Sequence, residues 1–227
     1  MSAPAIGPAR GLPPRREHEG RTVLLAPLDV RLHAADLWAA VAGHDRLWDY
    51  MAYGPFSDVE AFGLWLEGRA ELSDPFYFAV TDLGTGRAVG LVTLMEIRPA
   101  HGVIEVGNIV FSPVLQRTCA ATEAIYLLAR HIFDDLGYRR FEWKCNAANA
   151  ASRRAAERFG FTFEGIFRQH MIVKGQNRDT AWFSMLDGEW PARRAALESW
   201  LAPSNFDDAG RQRVPLAAFQ KKLQSTI

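Results

Sequence analysis

Three features of the sequence predict an α/β fold with one central mixed, mostly antiparallel sheet and helices on both faces. Apolar runs bounded by turn residues alternate with stretches of helical spacing in the order β, α, α, β, β, β, α, β, α, β, β. Two strand–turn–helix units follow one another, Val103 to Leu136 and Phe141 to Phe159. The segment Asp82-Leu-Gly-Thr-Gly86 joins two further strands as a hairpin, since its glycines tolerate positive φ in a tight turn.

Taken in order, Arg21 to Ala26 is a short apolar run that reads as the first strand, closed by Pro27. Arg31 to Ala42 carries helical spacing through Leu32, Ala35, Leu37 and Val41, and Gly43 stops it. The aromatic stretch from Leu47 to Phe56 is broken by Gly54-Pro55 and reads as a loop. Ser57 is the expected N-cap of a helix running through Leu72, with Glu60 completing a capping box. Strands follow at Phe76 to Thr81, Ala88 to Ile97 and Val103 to Phe111. A helical stripe over Ala120 to Leu136 ends at Gly137, a natural C′ glycine. After the strand at 141–145 and the helix at 150–159, two more strands are expected, Thr162 to Val173 and Thr180 to Leu186, with Gly175 to Asp179 turning between them. Ala192 to Leu201 has the spacing of one more helix.

The expected domains are a flexible arm at 1–20, rich in Pro, Arg and Gly, a body at 21–190 and a C-terminal helical extension at 191–227. At 227 residues, 48% of them hydrophobic, the chain can bury a large core. Its 26 Lys and Arg balance 26 Asp and Glu, so neither a nucleic-acid nor a membrane partner is expected. No stretch reaches the roughly 20 apolar residues of a membrane helix, and two cysteines are too few for a secreted disulfide framework. The expected location is cytoplasmic. Oligomeric state is left open, with a homodimer among the options. His and Cys show no metal-ligand spacing, so no metal is expected.

Four groups of residues could carry chemistry. Gln116-Arg-Thr-Cys-Ala-Ala121 lies between a strand and a helix, where backbone N–H groups can converge on an anion; it reads equally as an ordinary connection capped by Thr118. Asn149 and Ser152 sit at the next strand–helix junction and also read as helix caps. Glu105 interrupts an apolar strand, where a carboxylate is either functional or held in an ion pair. His170 is a reserve base, Glu142 a third choice, and Trp48 and Tyr53 belong either to an acceptor pocket or to the core.

With Gly160-Phe161, Glu164-Gly165, Arg168 and Arg178-Asp179, these motifs follow one another over residues 21 to 187 in an order that resembles the Gcn5-related N-acetyltransferase (GNAT) superfamily, in particular its ribosomal-protein N-terminal acetyltransferase-like branch. The resemblance implies the acyl-CoA N-acyltransferase fold, acetyl-CoA as cosubstrate, and direct acetyl transfer to an amine. It implies that backbone groups of Ile109, Val110 and Phe111 hold the thioester, and that Gln116, Arg117, Thr118, Cys119, Ala120, Ala121 and Thr122 hold the pyrophosphate. Asn149 would meet the pantetheine arm, Ser152 the departing thiolate, and Glu105 the acceptor amine. Cys119 stands where the family usually has glycine, and the helix at 150–159 lacks the tyrosine many relatives carry. Those departures leave room for a rival reading, a catalytically weak acyl-CoA-binding module with a regulatory role.

Overall fold

The computed structural model describes residues 11–224, with side chains to residue 221. The elements are β1 (His18–Glu19), β2 (Val23–Pro27), α1 (Val30–Val41), α2 (Val59–Ala70), β3 (Phe76–Asp82), β4 (Arg87–Arg98), β5 (Val103–Phe111), α3 (Cys119–Arg130), β6 (Arg140–Asn146), α4 (Ala150–Phe159), β7 (Thr162–Val173), β8 (Gln176–Leu186), α5 (Trp190–Leu201) and α6 (Leu216–Gln224). The strands form one eight-stranded sheet in the order β1-β2-β3-β4-β5-β6-β8-β7. Every neighbouring pair is antiparallel except β5 and β6. A parallel pair needs a crossover, which α3 supplies.

Alternation along the strands divides two cores. On one face Val92, Leu94, Ile104, Val106, Phe141 and Phe183 pack with residues of α3, α4 and α5. On the other, Tyr77, Ala79, Leu91 and Val110 pack with Leu37 and Val41 of α1 and Phe62, Trp65 and Leu66 of α2. Trp190, Trp200, Leu201 and Leu216 belong to the first core, so the C-terminal helices share the body's interior.

Side-chain caps set the helix starts. Asp29 accepts from the Arg31 N–H, Thr118 from Ala121 and Asn149 from Ser152. For α2 the cap is Asp58, which accepts from Ala61 at 2.9 Å, and not Ser57, whose hydroxyl donates to Asp58. The long helix expected to Leu136 leaves α-geometry after Arg130 and continues as a π-turn over His131–Asp135 before Gly137 at φ +63°. The hairpin between β7 and β8 is tighter than expected: Lys174 and Gly175, at φ +49° and +74°, form a two-residue turn, so β8 begins at Gln176.

Residues 1–10 of the expected flexible arm lie outside the described residues. Residues 11–20 lie along the body and make side-chain contacts with it. Arg15 donates to the Ala70 carbonyl at 2.6 Å and lies over the Phe76 ring. Arg16 reaches His131 and Asp135, and the Tyr138 hydroxyl donates to Gly11 O at 2.8 Å. The composition that suggested mobility supplies the anchors: arginine stems cover apolar surface while the guanidinium finds a partner. Among the described residues no helix is long and apolar enough to cross a membrane.

Candidate active site

The parallel register of β5 and β6 runs from Val103 opposite Arg140 to Val106 opposite Trp143 and stops there. Beyond it, β5 continues to Phe111 paired only with β4, and β6 continues to Asn146 paired only with β8. The sheet therefore opens into a V at its centre. A bulge on β5 shapes the opening: Asn108 adopts φ +48°, and the register with β4 shifts beside it. An added Cβ at Gly107 would meet the Met95 sulfur, so the Met95 side chain would have to move aside. Thr93 Oγ1 donates to Gly107 O at 2.9 Å, and the Tyr53 hydroxyl donates to Asn108 Oδ1 at 3.0 Å. Past the bulge, the β6-facing backbone of Ile109, Val110 and Phe111 lines one wall of the V.

The turn after β5 brings the α3 N-terminus to this wall. Ser112 O accepts from both Leu115 and Gln116 N–H, and Gln116 Nε2 donates back to Phe111 O at 2.8 Å. Arg117 carries the positive φ, +64°, while Cys119 is the first helical residue. The glycine usual at position 119 in the family is thus not needed here for φ, and Cys119 carries no backbone strain. Its thiol packs against the core beside Arg21, and burial raises its pKa, against the lowering a helix N-terminus alone would give. The N–H groups of Cys119 and Ala120 find no acceptor among the described residues, which leaves the positive end of α3 free for an anion. Ala120, Ala121 and Thr122 have their side chains buried, so they act through backbone and packing. Thr122 Oγ1 accepts from Arg158 at 2.9 Å. A cleft of about 520 Å³ lies against the turn between Gly43–Leu47, Pro113 and Gln116.

On the other arm of the V, Asn149 caps α4. Ser152 Oγ accepts from the indole N–H of buried Trp143 at 3.0 Å. An acceptor already filled in this way leaves the Ser152 hydroxyl proton available to a second partner.

The sheet face under α1 and α2 carries a run of charge. Glu105, 5% exposed, contacts Lys144 Nζ at 2.8 Å. Lys144 also lies 3.1 Å from Glu142 and sits over the Trp182 ring at 4.2 Å. Glu142 is further held by Arg98 at 2.6 Å and Arg140 at 2.7 Å. Burial pushes the Glu105 carboxyl up to about 7, with Lys144 opposing that rise. For Glu142 burial pulls the same way, but Arg140, Lys144 and Arg98 prevail and hold it below the usual carboxylate range. Glu142 is therefore a spent ion-pair partner and no base.

His170 is exposed, bonded through Nδ1 to Thr180 Oγ1 at 3.0 Å, with its ring 6.1 Å from Trp182. Trp48 is 2% exposed and packs against Tyr53, Phe56, Phe62 and Trp65, so the pocket-wall reading of Trp48 is corrected to core. Tyr53 does reach the bulge. Two bonds hold the 47–56 loop across the V: Tyr50 hydroxyl to Ala148 O at 3.3 Å, and Lys174 Nζ to Trp48 O at 3.0 Å. Lys144, Asn108 and Lys174 escaped the sequence reading. The first was legible in principle, because Glu142 and Lys144 alternate on one strand and so share a face.

Residues 22–162 match the family model described as "Acetyltransferase (GNAT) domain". The chain belongs to this GNAT acetyltransferase family, whose members use acetyl-CoA, and it is an N-acetyltransferase by class. The structure is similar to that of a GCN5-related N-acetyltransferase from Brucella melitensis, with 48% identity, 95% of this chain and 98% of that one covered, and a TM-score of 0.93. It shares its fold, at 20% identity and a TM-score of 0.65 over 74% of this chain and 93% of that one, with the microcin C7 self-immunity acetyltransferase MccE, determined in complex with acetyl-CoA and AMP. In sequence it is 26% identical over 109 residues to the Bacillus subtilis (strain 168) protein named "Putative ribosomal N-acetyltransferase YdaF". That match spans 48% of this chain and 59% of the relative. Among the described residues no group of three or more His, Cys, Asp or Glu is arranged to hold a metal.

Proposed function

We propose that this protein moves the acetyl group of acetyl-CoA directly onto a primary amine, of a protein N-terminus or a small molecule. The observation that carries the reading is Glu105, a buried carboxylate beside the V that is held 2.8 Å from Lys144 Nζ and whose burial pushes its carboxyl up to about 7. Such a group takes up and releases protons where an amine must lose one before it can attack. Glu105 would accept the ammonium proton through water, freeing the nitrogen lone pair to attack the thioester carbonyl. Backbone N–H groups between Ile109 and Phe111 would hold the carbonyl oxygen as charge develops on it. Ser152 would donate its hydroxyl hydrogen bond to the sulfur as the carbon–sulfur bond breaks. The first-turn N–H groups of α3 and the Gln116–Thr118 turn would hold the pyrophosphate, and Asn149 the pantetheine arm. His170 remains the second candidate for base.

The rival reading, a coenzyme-binding module without turnover and with a regulatory role, drew on Cys119 and on the tyrosine missing from α4; Cys119 is helical and needs no positive φ, and the tyrosine is absent from α4. The test is thiol release from acetyl-CoA with a panel of N-terminal peptides and small amines, repeated for Glu105→Gln. The expected result is amine-dependent release with an acid limb near pH 7, and a fall of about 10²–10⁴-fold in plateau turnover for the variant. Wild-type turnover and an unmoved limb in Glu105→Gln would make Glu105 structural and pass the role to His170. Binding without release for every amine would support the module.

A further inference from the structure

Lys144 bridges Glu105 of β5 and Glu142 of β6 on the charged face. Its stem leaves β6 one residue past the last β5–β6 register pair, at the apex of the V. Its Nζ is fixed on three sides, by Glu105 Oε2 at 2.8 Å, Glu142 Oε2 at 3.1 Å and the Trp182 ring at 4.2 Å. All of this lies in a nearly dry place: the side chains of Lys144, Glu105 and Glu142 are 12%, 6% and 4% exposed. The demands of its two carboxylates differ. Glu142 is also paired to Arg98 and Arg140, so it stays compensated without the lysine. Among the described residues Glu105 pairs with no other cation, and the other charges that act on it are Glu142 from β6 and Glu96 from β4, both of its own sign.

We propose that Lys144 is a positioning residue of the transfer reaction: its ammonium, gripped by Glu142 and Trp182, holds the Glu105 carboxylate at the apex of the V and keeps it in the anionic form that accepts a proton. This rests on the assignment of Glu105 as base. A carboxylate accepting from one ammonium through Oε2 still presents Oε1 to a water or an amine. Removing the ammonium leaves a buried carboxyl facing only like charge, which favours the neutral acid. The network Glu142–Arg140–Glu164, with Arg140 Nη1 donating to Glu164 at 2.8 Å, ties this grip to the start of β7.

The experiment titrates the Glu105 carboxyl directly, by ¹³C NMR of glutamate-labelled protein, in wild type, Lys144→Met and Lys144→Arg, with assignment from Glu105→Gln. The same proteins supply pH–rate profiles. Lys144→Met is expected to move the Glu105 midpoint up by at least one pH unit, which lowers turnover about tenfold at pH 6, while KM for acetyl-CoA stays within about twofold. Lys144→Arg restores most of both. In a Glu105→Gln background Lys144→Met should have no further effect on the acid limb. If Lys144→Met does not fold, Lys144→Gln carries the same expectation, because its amide can donate to Glu105 without charge.

A Glu105 midpoint unmoved in a folded Lys144 variant overturns the proposal, whatever Glu105 does in catalysis. An NMR midpoint that moves while the acid limb stays put shows that Glu105 is not the base; the positioning role falls with that assignment.

Discussion

Replacing Ser152 with Ala separates two jobs held by one oxygen. Ser152 Oγ is the acceptor for the Trp143 indole N–H at 3.0 Å, and Trp143 is 4% exposed, so the variant strands a buried donor. An unsatisfied buried group costs about 1–3 kcal/mol. In a chain of this size each kcal/mol lowers Tm by about 2–4 °C, so a fall of roughly 2–12 °C is expected. The backbone bond from Ser152 N–H to Asn149 is untouched, so α4 keeps its cap. The rate effect is independent of this. A hydroxyl hydrogen bond to a charged sulfur contributes about 1.5–3 kcal/mol at most, and a thiolate leaves well without help, so a loss of about tenfold in kcat with little change in KM is expected. Trp143→Phe is the control: it removes the donor and leaves the serine, so it should lose stability and keep kcat within about threefold. Thermal melts and steady-state kinetics on the three proteins read both numbers. A Ser152→Ala protein with wild-type kcat would refute the thiolate role, and one with wild-type Tm would refute the indole bond as a stabilising contact.

Two further outcomes follow from the surroundings of α3. Because burial raises the Cys119 thiol pKa, with Arg21 opposing, the thiol should react with a disulfide reagent more slowly at pH 7 than an unhindered cysteine, and slower still with coenzyme bound; a fast-reacting thiol titrating below pH 8 would contradict the packing. The strap at residues 11–20 should loosen in acid. Burial, with His131 and Arg16 adding to it, pushes His18 down from 6.5 to about 4, and burial lowers His131, which Asp135 opposes. Both rings are neutral in place and regain ordinary basicity once released, so the strap is fully held above pH 6.5 and progressively lost as pH falls toward 4. Hydrogen exchange of residues 11–20 should show protection falling through that window in wild type and less steeply in His18→Gln; flat protection in wild type would contradict it.

The order of elements was legible because apolar runs bounded by turn residues mark the strands and helices stripe, as at Val103–Phe111 and Ala150–Phe159. What escaped depends on contacts distant in sequence. The strap is invisible to periodicity, since Arg15, Arg16 and His18 gain meaning only from Ala70, Phe76 and His131. Asp58 outcompetes Ser57 as cap through a one-residue difference in backbone geometry. The turn and cap positions of Gln116, Asn149 and Ser152 were legible because caps and turns are local. The positive φ was sought at Cys119 and lies at Arg117, because the helix begins one residue after Thr118 and not later. Trp48 stayed open between pocket wall and core because a loop rich in aromatics looks the same in sequence whether its rings face solvent or one another.

In the proposed mechanism the coenzyme lies at the V with its pyrophosphate on the first turn of α3. Titration calorimetry of acetyl-CoA into wild type and Ala121→Glu tests this most directly. Residue 121 is the capped N3 position, its N–H 3.1 Å from Thr118 Oγ1, and a carboxylate placed there sets like charge against the phosphates. Thermal melts first establish that the variant is folded, since Ala121 is buried. The account predicts one-to-one binding by wild type, weakened by about a hundredfold or more in the folded variant, which is roughly 2.7 kcal/mol. Equal affinity in wild type and folded Ala121→Glu would contradict it.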